Sequence, residues 1–539
     1  RRSSARRPVR APPPPPVTRS MPMMPRRIPA AILALALLPP TALQAQQAPK
    51  ELDAYVRSTL KLFDQPGAAI AVVQDGRVVF QQGWGVRRLG SPEPVDAHTR
   101  FQIASNTKAM TTAALALLVE DGKLGWDDRV VDHLPWFALG GDPYVTHEFR
   151  VRDLLCHRSG LSLGAGDLLW FHSTYTSAEI ARRLRFIAPA TSFRSAYAYD
   201  NVLFIVAGEL VEAVSGMPWA DFLQQRLFQP LGMQETATSI TGVRLDDNVA
   251  TPHGRIPDTM QVVPYDSILN GLSAGGVLSS VADMSRWLRV QLDSGRIDAD
   301  HRLWPAAETR TMWQPQIDIP TSPPPPGLKP LGANFSTYAL GWRVRDYRGL
   351  KLVTHTGGLA GMLSEVFLVP EKRLGVVVLT NGETLAFHAL AYRVLDYYLH
   401  APRFDWPAGY AALAARSTSG DSAFVDSATA ARHGDAGPSL PLAGYAGRYH
   451  DDWYGDVNLA VEDGHLVLHW SHSPALTADL EHWQYDTFRA RMRVPNVADA
   501  FVTFALGYDG RVDRMTLVPF LPSTDFSFNY QDLLFRPVP

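Results

Sequence analysis

The alternation of apolar and polar residues predicts strands at both ends of the first 400 residues and helices between them. Apolar positions repeat at helical spacing in residues 51–63, 106–121, 202–215, 281–293 and 386–399. Strand-like runs lie at Ala68–Val73, Val78–Trp84, Leu340–Val344, Leu350–His355, Leu363–Val369 and Leu374–Thr380. The turn Asp75-Gly76 joins the first two runs and favours a tight hairpin. This order predicts one sheet built from both ends of a single domain.

The pattern changes after about residue 401. Residues 415–441 are rich in Ser, Ala, Asp, Gly and Pro, which is typical of a linker. Short strands and turns follow and predict an all-β barrel or sandwich. Its clearest hairpins are Val457–Val461 with Leu466–Trp470 and Phe501–Leu506 with Val512–Val518. We divide the chain into an N-terminal extension with a signal peptide (1–48), a mixed domain (49–402), a linker (403–441) and an all-β domain (442–539).

The N-terminal extension has the layout of an export signal. A proline run, Pro12–Pro16, precedes the charged pair Arg26-Arg27, the apolar stretch Ala30–Leu38 and a small-residue segment that ends near Ala45. This order predicts a secretory signal peptide that is cleaved near Ala45, and therefore a periplasmic or secreted protein. The apolar stretch is too short for a stable membrane span.

Composition narrows the function classes. The 539 residues contain 51 Lys+Arg against 53 Asp+Glu, and 46% are hydrophobic, which excludes a wholly disordered chain. The near-neutral balance argues against nucleic acid as a partner. The single cysteine, Cys156, excludes a disulfide framework and a thiolate metal site. Lysine is rare, with 7 residues, so each lysine is a candidate for a specific role.

The strongest local motif is Ser105-Asn-Thr-Lys108 at the start of an apolar helix. A serine hydroxyl becomes a good nucleophile when a neighbour takes its proton, and a buried lysine with a lowered pKa can do so. A helix start also offers N–H groups to developing negative charge. Ser58-Thr-Leu-Lys61 matches the same pattern, but it lies on the face of the first helix that we expect to be exposed.

Two further motifs complete a candidate site. Tyr199-Asp200-Asn201 precedes the helix at 202–215; a tyrosine near a lysine can be held partly as phenolate, and an asparagine amide can hold a substrate carbonyl. Thr354-His355-Thr356-Gly357-Gly358 closes a strand, where glycines allow close backbone approach to a ligand. The N–H groups of Ser105 and Gly358 would then form an oxyanion hole.

With these motifs in this order, residues 50–400 resemble the serine β-lactamase-related family of class C β-lactamases, penicillin-binding proteins, D-aminopeptidases and some esterases. Further matching stretches are Pro66–Val73, Val151–Leu161, Pro230–Met233 and Ser273–Asp283. The resemblance implies an α/β (α+β) fold, with an antiparallel sheet flanked by helices, a helical lobe, and the site between them. It implies that Ser105 is acylated, that Lys108 and Tyr199 handle its proton, and that no metal or cofactor is used. It also implies which residues position the substrate: Asn201, His355, Thr356, Gly357 and Gly358.

One departure bears on the substrate. Efficient β-lactamases carry Lys-Thr-Gly where this chain has His355, and a histidine is largely neutral above pH ~6.5. A histidine at this position resembles the D-aminopeptidase and esterase branches of the family. We therefore expect an exported serine hydrolase acting on small peptide, amide (possibly D-amino-acid) or ester substrates. The alternatives are a β-lactamase or D,D-carboxypeptidase, or a non-catalytic module that binds peptidoglycan or a protein. Retention of both Ser105 and Lys108 favours an enzyme.

Residues 442–539 resemble the lipocalin-like domain that is often appended to these hydrolases. The resemblance rests on the stretches Leu442–Tyr449 and His482–Phe488. The spacing of His465, His469, His472 and His482 matches no metal-ligand pattern. We therefore expect no metal site in this domain.

Overall fold

A computed structural model describes residues 49–539, apart from positions 257 and 496, together with residues 11, 13, 14 and 16. The predicted signal peptide, with its apolar stretch Ala30–Leu38 and the cleavage site near Ala45, lies outside the described residues.

The secondary structure runs through both folded domains. The α-helices are α1 (Lys50–Phe63), α2 (Thr107–Glu120), α3 (Val130–His133), α4 (Pro143–Glu148), α5 (Ser177–Arg183), α6 (Asn201–Ser215), α7 (Trp219–Leu223), α8 (Gln229–Leu231), α9 (Leu272–Gly275), α10 (Val281–Leu292), α11 (Ala306–Met312), α12 (Ala386–Tyr398) and α13 (Trp406–Ala430). The strands of the mixed domain are β1 (Gly67–Gln74), β2 (Arg77–Gly85), β3 (Phe101–Gln102), β4 (His253–Arg255), β5 (Met260–Val262), β6 (Leu278–Ser279), β7 (Ile317–Asp318), β8 (Ser336–Tyr338), β9 (Arg343–Tyr347), β10 (Leu350–Leu359), β11 (Met362–Val369) and β12 (Leu374–Thr380). Those of the all-β domain are β13 (Gly447–Asp451), β14 (Gly455–Glu462), β15 (His465–Trp470), β16 (Ala478–Gln484), β17 (Thr487–Met492), β18 (Ala500–Leu506), β19 (Val512–Pro519) and β20 (Leu534–Pro537).

An antiparallel sheet of eight strands, in the order β2-β1-β12-β11-β10-β9-β8-β7, forms the centre of the mixed domain. β1 pairs with β12 along its length, from Ala68 opposite Thr380 to Gln74 opposite Leu374. The prediction of one sheet made from both ends of the domain is therefore confirmed. The expected strand at Leu340–Val344 begins later, at Arg343.

Each face of the sheet carries its own hydrophobic core. Along β1, Ile70 and Val72 face the core that includes α12, whereas Ala69 and Ala71 face the core that includes α2, α6 and α10. Successive strand residues point to opposite faces, so a strand covered on both sides is apolar throughout. The fold class predicted from the sequence, an antiparallel sheet flanked by helices with a helical lobe, is confirmed.

Helices α2 and α6 form the centre of the helical lobe. Every residue from Thr107 to Leu118 of α2 is buried, and α6 is buried over most of its length. A helix that is apolar on all sides belongs inside a protein rather than on its surface. Among the described residues, no single helix has the length and hydropathy to cross a bilayer; α6 with α7 and α8 reaches that length only as a pair bent by 75°.

The all-β domain is a closed barrel formed by β13 to β20. This outcome decides between the two predicted architectures, a barrel and a sandwich. Aromatic side chains fill the barrel: Tyr445, Phe488 and Phe504 pack with ring centroids 4.9–5.8 Å apart. Closure leaves no unpaired strand edge in the barrel.

The segment between the domains, residues 403–441, is predicted as a linker, and most of it forms the helix α13, Trp406–Ala430. Trp406 and Tyr410 are buried at its first turns, and Trp406 stacks on Tyr392 of α12 at 4.8 Å. The rest of α13 is largely exposed, which explains its polar composition, and its many alanines favour a helix. Residues 320–331, which include four consecutive prolines, are largely exposed, although Leu328 is buried.

Candidate active site

Ser105 lies in a turn of 3-10 helix, Ala104–Asn106, immediately before α2. The chain enters this turn through Ala104, whose φ of 48° lies in the left-handed region that costs a non-glycine residue about 1 kcal/mol. Backbone strain of this kind persists where surrounding packing enforces it. Ser105 is half-buried and lines a cavity of about 460 Å³ between the helical lobe and the sheet. The turn therefore presents a serine hydroxyl to this cavity.

Lys108 lies one helical turn after Ser105 and is fully buried. Its Nζ donates hydrogen bonds to Ser105 Oγ at 2.9 Å, to Asn201 Oδ1 at 2.6 Å and to the carbonyl of Ala274 at 2.9 Å. Burial lowers the pKa of Lys108 to about 7, against the opposing effect of the Asp167 charge. A substantial fraction of Lys108 is therefore neutral at pH 7 and able to accept a proton.

Tyr199 contacts both of these residues. Its side chain is hydrogen-bonded to Ser105, and Lys108 Nζ lies 4.9 Å from the centre of its ring. Burial raises the pKa of Tyr199 well above the ordinary value. The suggestion that Tyr199 is held partly as phenolate is therefore wrong: the phenol is neutral near pH 7, because burial disfavours its anion more than the hydrogen bond with Ser105 stabilises it.

Asn201, at the first position of α6, links Lys108 to a buried carboxyl group. Its Nδ2 donates to Asp167 Oδ2 at 2.8 Å, while its Oδ1 accepts from Lys108. Asp167 also accepts from Trp170 Nε1 at 2.9 Å and is hydrogen-bonded to the side chain of Ser527. Burial raises the pKa of Asp167 to about 7. The amide of Asn201 is thus fixed between an acid and a base with similar pKa values.

His355 is buried and neutral. Its Nδ1 lies 2.5 Å from the carbonyl of Thr356, which can only accept, so Nε2 is the acceptor for the Tyr338 hydroxyl at 2.7 Å. Burial, together with the charge of Lys108, lowers the pKa of His355 to about 3. Both ring nitrogens are bonded within the protein, so His355 shapes the cavity wall rather than offering a free N–H. Positive charge near this wall comes from Arg343 and Arg345 of β9, which also line the cavity.

The residues after His355 form an open strand edge beside the serine. β9 pairs with β10 only as far as Thr354, whereas β11 continues to pair with β10 up to Leu359. Gly357 is required for close packing, because a Cβ there would lie 2.1 Å from the carbonyl oxygen of Ile103. This contact holds β10 against the turn that carries Ser105. Thr356 and Gly358 both line the cavity next to Ser105.

The structure adds residues that the sequence motifs did not single out for the site. Asp167 begins a short 3-10 helix, Asp167–Leu169, and Trp170 follows it; nothing in the pattern of this segment distinguishes them from packing residues. His157 lies within one of the matching stretches; its ring contacts those of Tyr199 and Tyr338 with centroids 4.1 and 4.4 Å apart. Its Nδ1 accepts the backbone N–H of Asp200 at 3.1 Å, so His157 supports the Tyr199–Asn201 segment.

The second Ser-x-x-Lys pair and the single cysteine, which are the other candidate nucleophiles, lie elsewhere in the structure. Ser58 and Lys61 are on the exposed face of α1, and the Ser58 hydroxyl donates to the Tyr55 carbonyl at 2.9 Å. Cys156 is fully buried, and burial raises the pKa of its thiol to about 12, which makes it unreactive.

The four barrel histidines considered for a metal site each have a separate partner. The pairs are His465 with Asp479 at 3.1 Å, His469 with Glu462 at 2.7 Å, His472 with Thr174 at 2.9 Å and His482 with the carbonyl of Tyr485 at 2.8 Å. Within the described part of the chain, no group of three or more His, Cys, Asp or Glu side chains could hold a metal ion.

Known proteins match both domains of the chain. The beta-lactamase family model matches residues 52–399, and a domain of unknown function, DUF3471, matches residues 431–537. An unguisins hydrolase of Aspergillus violaceofuscus is 30% identical over 477 residues, which cover 81% of this chain and 82% of the relative. A D-aminopeptidase of Cereibacter sphaeroides is 28% identical over 372 residues, 67% of this chain and 65% of the relative.

Solved structures share the fold at lower identity. An octameric penicillin-binding protein homologue from Pyrococcus abyssi aligns with a TM-score of 0.56 and 21% identity, covering 90% of this chain and 99% of that protein. A D-amino acid amidase from Ochrobactrum anthropi SV3 aligns with a TM-score of 0.52 and 21% identity, covering 65% of this chain and 98% of that protein. The Pyrococcus protein therefore matches across most of the chain, and the amidase over about two thirds of it.

Proposed function

The chain belongs to the beta-lactamase family of serine hydrolases, and on that premise we propose that it cleaves small amide or ester substrates through an acyl-enzyme on Ser105. The observation that carries this proposal is the 2.9 Å hydrogen bond between Ser105 Oγ and the Nζ of the fully buried Lys108. A serine and a lysine so placed supply a nucleophile and its base.

The proposed reaction has two acyl-transfer steps. Neutral Lys108 takes the hydroxyl proton as Ser105 Oγ bonds to the substrate carbonyl carbon, and the N–H groups of Ser105 and Gly358 hold the resulting oxyanion. When the bond to the leaving group breaks, the proton passes to that group by way of the Tyr199 phenol, which is hydrogen-bonded to Ser105. Water then attacks the ester on Ser105 and regenerates the enzyme by the reverse proton path. Asn201 and Asp167 keep Lys108 directed at Ser105.

We propose peptides or amides, including those with D-residues, as the main substrates, with simple esters as the second class. Two features support this choice: relatives are named D-aminopeptidase and unguisins hydrolase, and the neutral His355 replaces the permanent cation of Lys-Thr-Gly enzymes. Penicillin-binding proteins are also among the relatives, so β-lactam turnover is the competing activity.

The test is a substrate panel with matched variants. Wild type, Ser105→Ala and Lys61→Ala are assayed on D-aminoacyl anilides, short-chain nitrophenyl esters and a chromogenic cephalosporin. We expect turnover by wild type and Lys61→Ala, loss of turnover in Ser105→Ala, and the slowest wild-type rate on the cephalosporin. Turnover that survives in Ser105→Ala refutes the nucleophile, and dominant cephalosporin hydrolysis refutes the substrate choice.

We further propose that the protein is exported. The support is the order of charged, apolar and small residues between Arg26 and Ala45. Residues 21–48 fused to a reporter without its own signal should direct it to the periplasm or medium, with a new N-terminus at Gln46. Cytoplasmic retention of the uncleaved fusion contradicts the proposal.

A further inference from the structure

The barrel packs directly on the segment of the mixed domain that supplies Asp167. Ser162 Oγ donates to Asp532 Oδ2 at 2.6 Å, and the N–H of Thr174 donates to the carbonyl of His472 at 2.8 Å. The ring of Tyr175 stacks on that of His472 with centroids 3.9 Å apart. These contacts lie on either side of Asp167, so docking of the barrel fixes the irregular chain around it.

One loop of the barrel reaches further, into the cavity beside Ser105. This loop lies between β19 and β20, and its residues Asp525, Phe526 and Ser527 line that cavity. A barrel that only stabilised the neighbouring domain would not need to line the space where a substrate binds.

Phe526 is held against the catalytic tyrosine from two directions. Its ring lies edge-on to the Tyr199 ring, with centroids 5.6 Å apart. Its carbonyl oxygen meets Gly164, where an added Cβ would lie only 2.3 Å away, and the N–H of Gly164 in turn donates to the Tyr199 carbonyl at 2.9 Å. Gly164 has φ +74°, so glycine suits both the conformation and the close contact. Phe526 is therefore seated on the Tyr199 wall of the cavity.

Ser527 connects the same loop to the proton-handling groups. Its side chain is hydrogen-bonded to the buried carboxyl of Asp167, which accepts from Asn201. The loop residues thus contact two parts of the site, the Tyr199 ring through Phe526 and the Asp167–Asn201 pair through Ser527.

We propose that the barrel loop Asp525–Ser527 completes the active site, and that Phe526 sets the size of the substrate group accepted beside Tyr199. The proposal rests on the proposed acylation of Ser105. Leu163, Trp170 and Ile268 line the same cavity, so the group that Phe526 limits is apolar. Removal of the Phe526 ring enlarges the cavity at this wall, and a larger ring narrows it.

The test compares the rates at which a small and a bulky aryl fluorophosphonate label Ser105. Phe526→Ala should raise the ratio of bulky to small labelling rates at least about tenfold, the scale of discrimination by apolar pockets. Phe526→Trp should lower the same ratio. Tyr508→Ala is the matched control, because Tyr508 is fully exposed on the barrel and outside the cavity; both of its rates should equal those of wild type.

The outcomes separate this proposal from the proposed function. Absence of labelling in folded wild type would refute the acyl-enzyme itself. If wild type is labelled normally, the role of Phe526 is overturned when the ratio of bulky to small labelling rates is unchanged in both Phe526 variants. The same holds when that ratio changes in the same direction in both variants. Thermal unfolding of each variant is measured alongside, and Phe526→Trp retains an aromatic ring if Phe526→Ala proves unstable.

Discussion

The rate of Ser105 acylation should follow the protonation of Lys108 and change most steeply below pH 7. Burial lowers the pKa of Lys108 from 10.5 to about 7. Only neutral Lys108 can take the serine proton, so lowering the pH through 7 removes the active form. The Lys108 ammonium that accumulates at low pH still donates hydrogen bonds, but it cannot act as the base.

The expected size of the effect follows from this pKa shift. A lysine with its ordinary pKa is roughly 0.03% neutral at pH 7, whereas Lys108 is about half neutral, a gain of roughly a thousandfold in active base. Between pH 7 and pH 5 the neutral fraction falls roughly fiftyfold, and the acylation rate should fall with it. Above pH 8 nearly all of Lys108 is neutral, so the rate should level off.

The assay measures the second-order rate of fluorophosphonate labelling from pH 5 to pH 10, corrected for hydrolysis of the probe. Lys108→Ala should abolish the pH-dependent labelling, and Lys61→Ala should reproduce the wild-type profile because Lys61 is exposed on α1. A wild-type rate that keeps rising tenfold per pH unit up to pH 10 would show that Lys108 has the ordinary lysine pKa, against the lowering expected from its burial.

Three further predictions follow from the same contacts. Asp167→Asn removes the negative charge that raises the pKa of Lys108, so the acidic limb of the labelling profile should move to lower pH. A shift of this limb to higher pH would contradict the effect of the Asp167 charge on Lys108. Lys108→Met should change the pH dependence of unfolding. Between pH 7 and 10.5 the unfolded chain binds a proton on Lys108 and the folded protein does not. The unfolding free energy of wild type relative to the variant should therefore rise by up to about 1.4 kcal/mol per pH unit in that window. Chemical denaturation at pH 7 and pH 9 measures this difference, and the absence of a rise would contradict the lowered pKa of Lys108. Gly357→Ala places a Cβ 2.1 Å from the Ile103 carbonyl, and should cost about 1–3 kcal/mol of stability and slow Ser105 labelling, while wild-type stability would contradict the packing.

The sequence was sufficient for the parts of the site that begin regular elements. Ser105 and Lys108 precede or begin α2, and Asn201 begins α6; both helices show their apolar pattern because they are buried. Strand β10, which carries His355, was visible for the same reason, although it continues to Leu359 instead of ending at His355 as predicted. Elements with a strong local pattern were therefore placed within a few residues of their observed ends.

The remaining features depend on contacts that no local pattern records. Asp167 lies in a short 3-10 helix, and its importance arises from its contact with Asn201, 34 residues away in the chain. The neutral state of Tyr199 follows from complete burial, which only packing establishes. Phe526 reaches the cavity because two domains dock, and α13 is helical although its serines, aspartates and glycines indicated a linker.

Intact-mass analysis tests directly whether Ser105 becomes covalently acylated. Wild type, Ser105→Ala and Ser58→Ala are incubated with a fluorophosphonate or a penicillin, and digestion then locates the modified residue. We predict one adduct on wild type and on Ser58→Ala, located at Ser105, and none on Ser105→Ala. An adduct that persists in Ser105→Ala, or folded wild type that reacts with neither probe, would contradict the account.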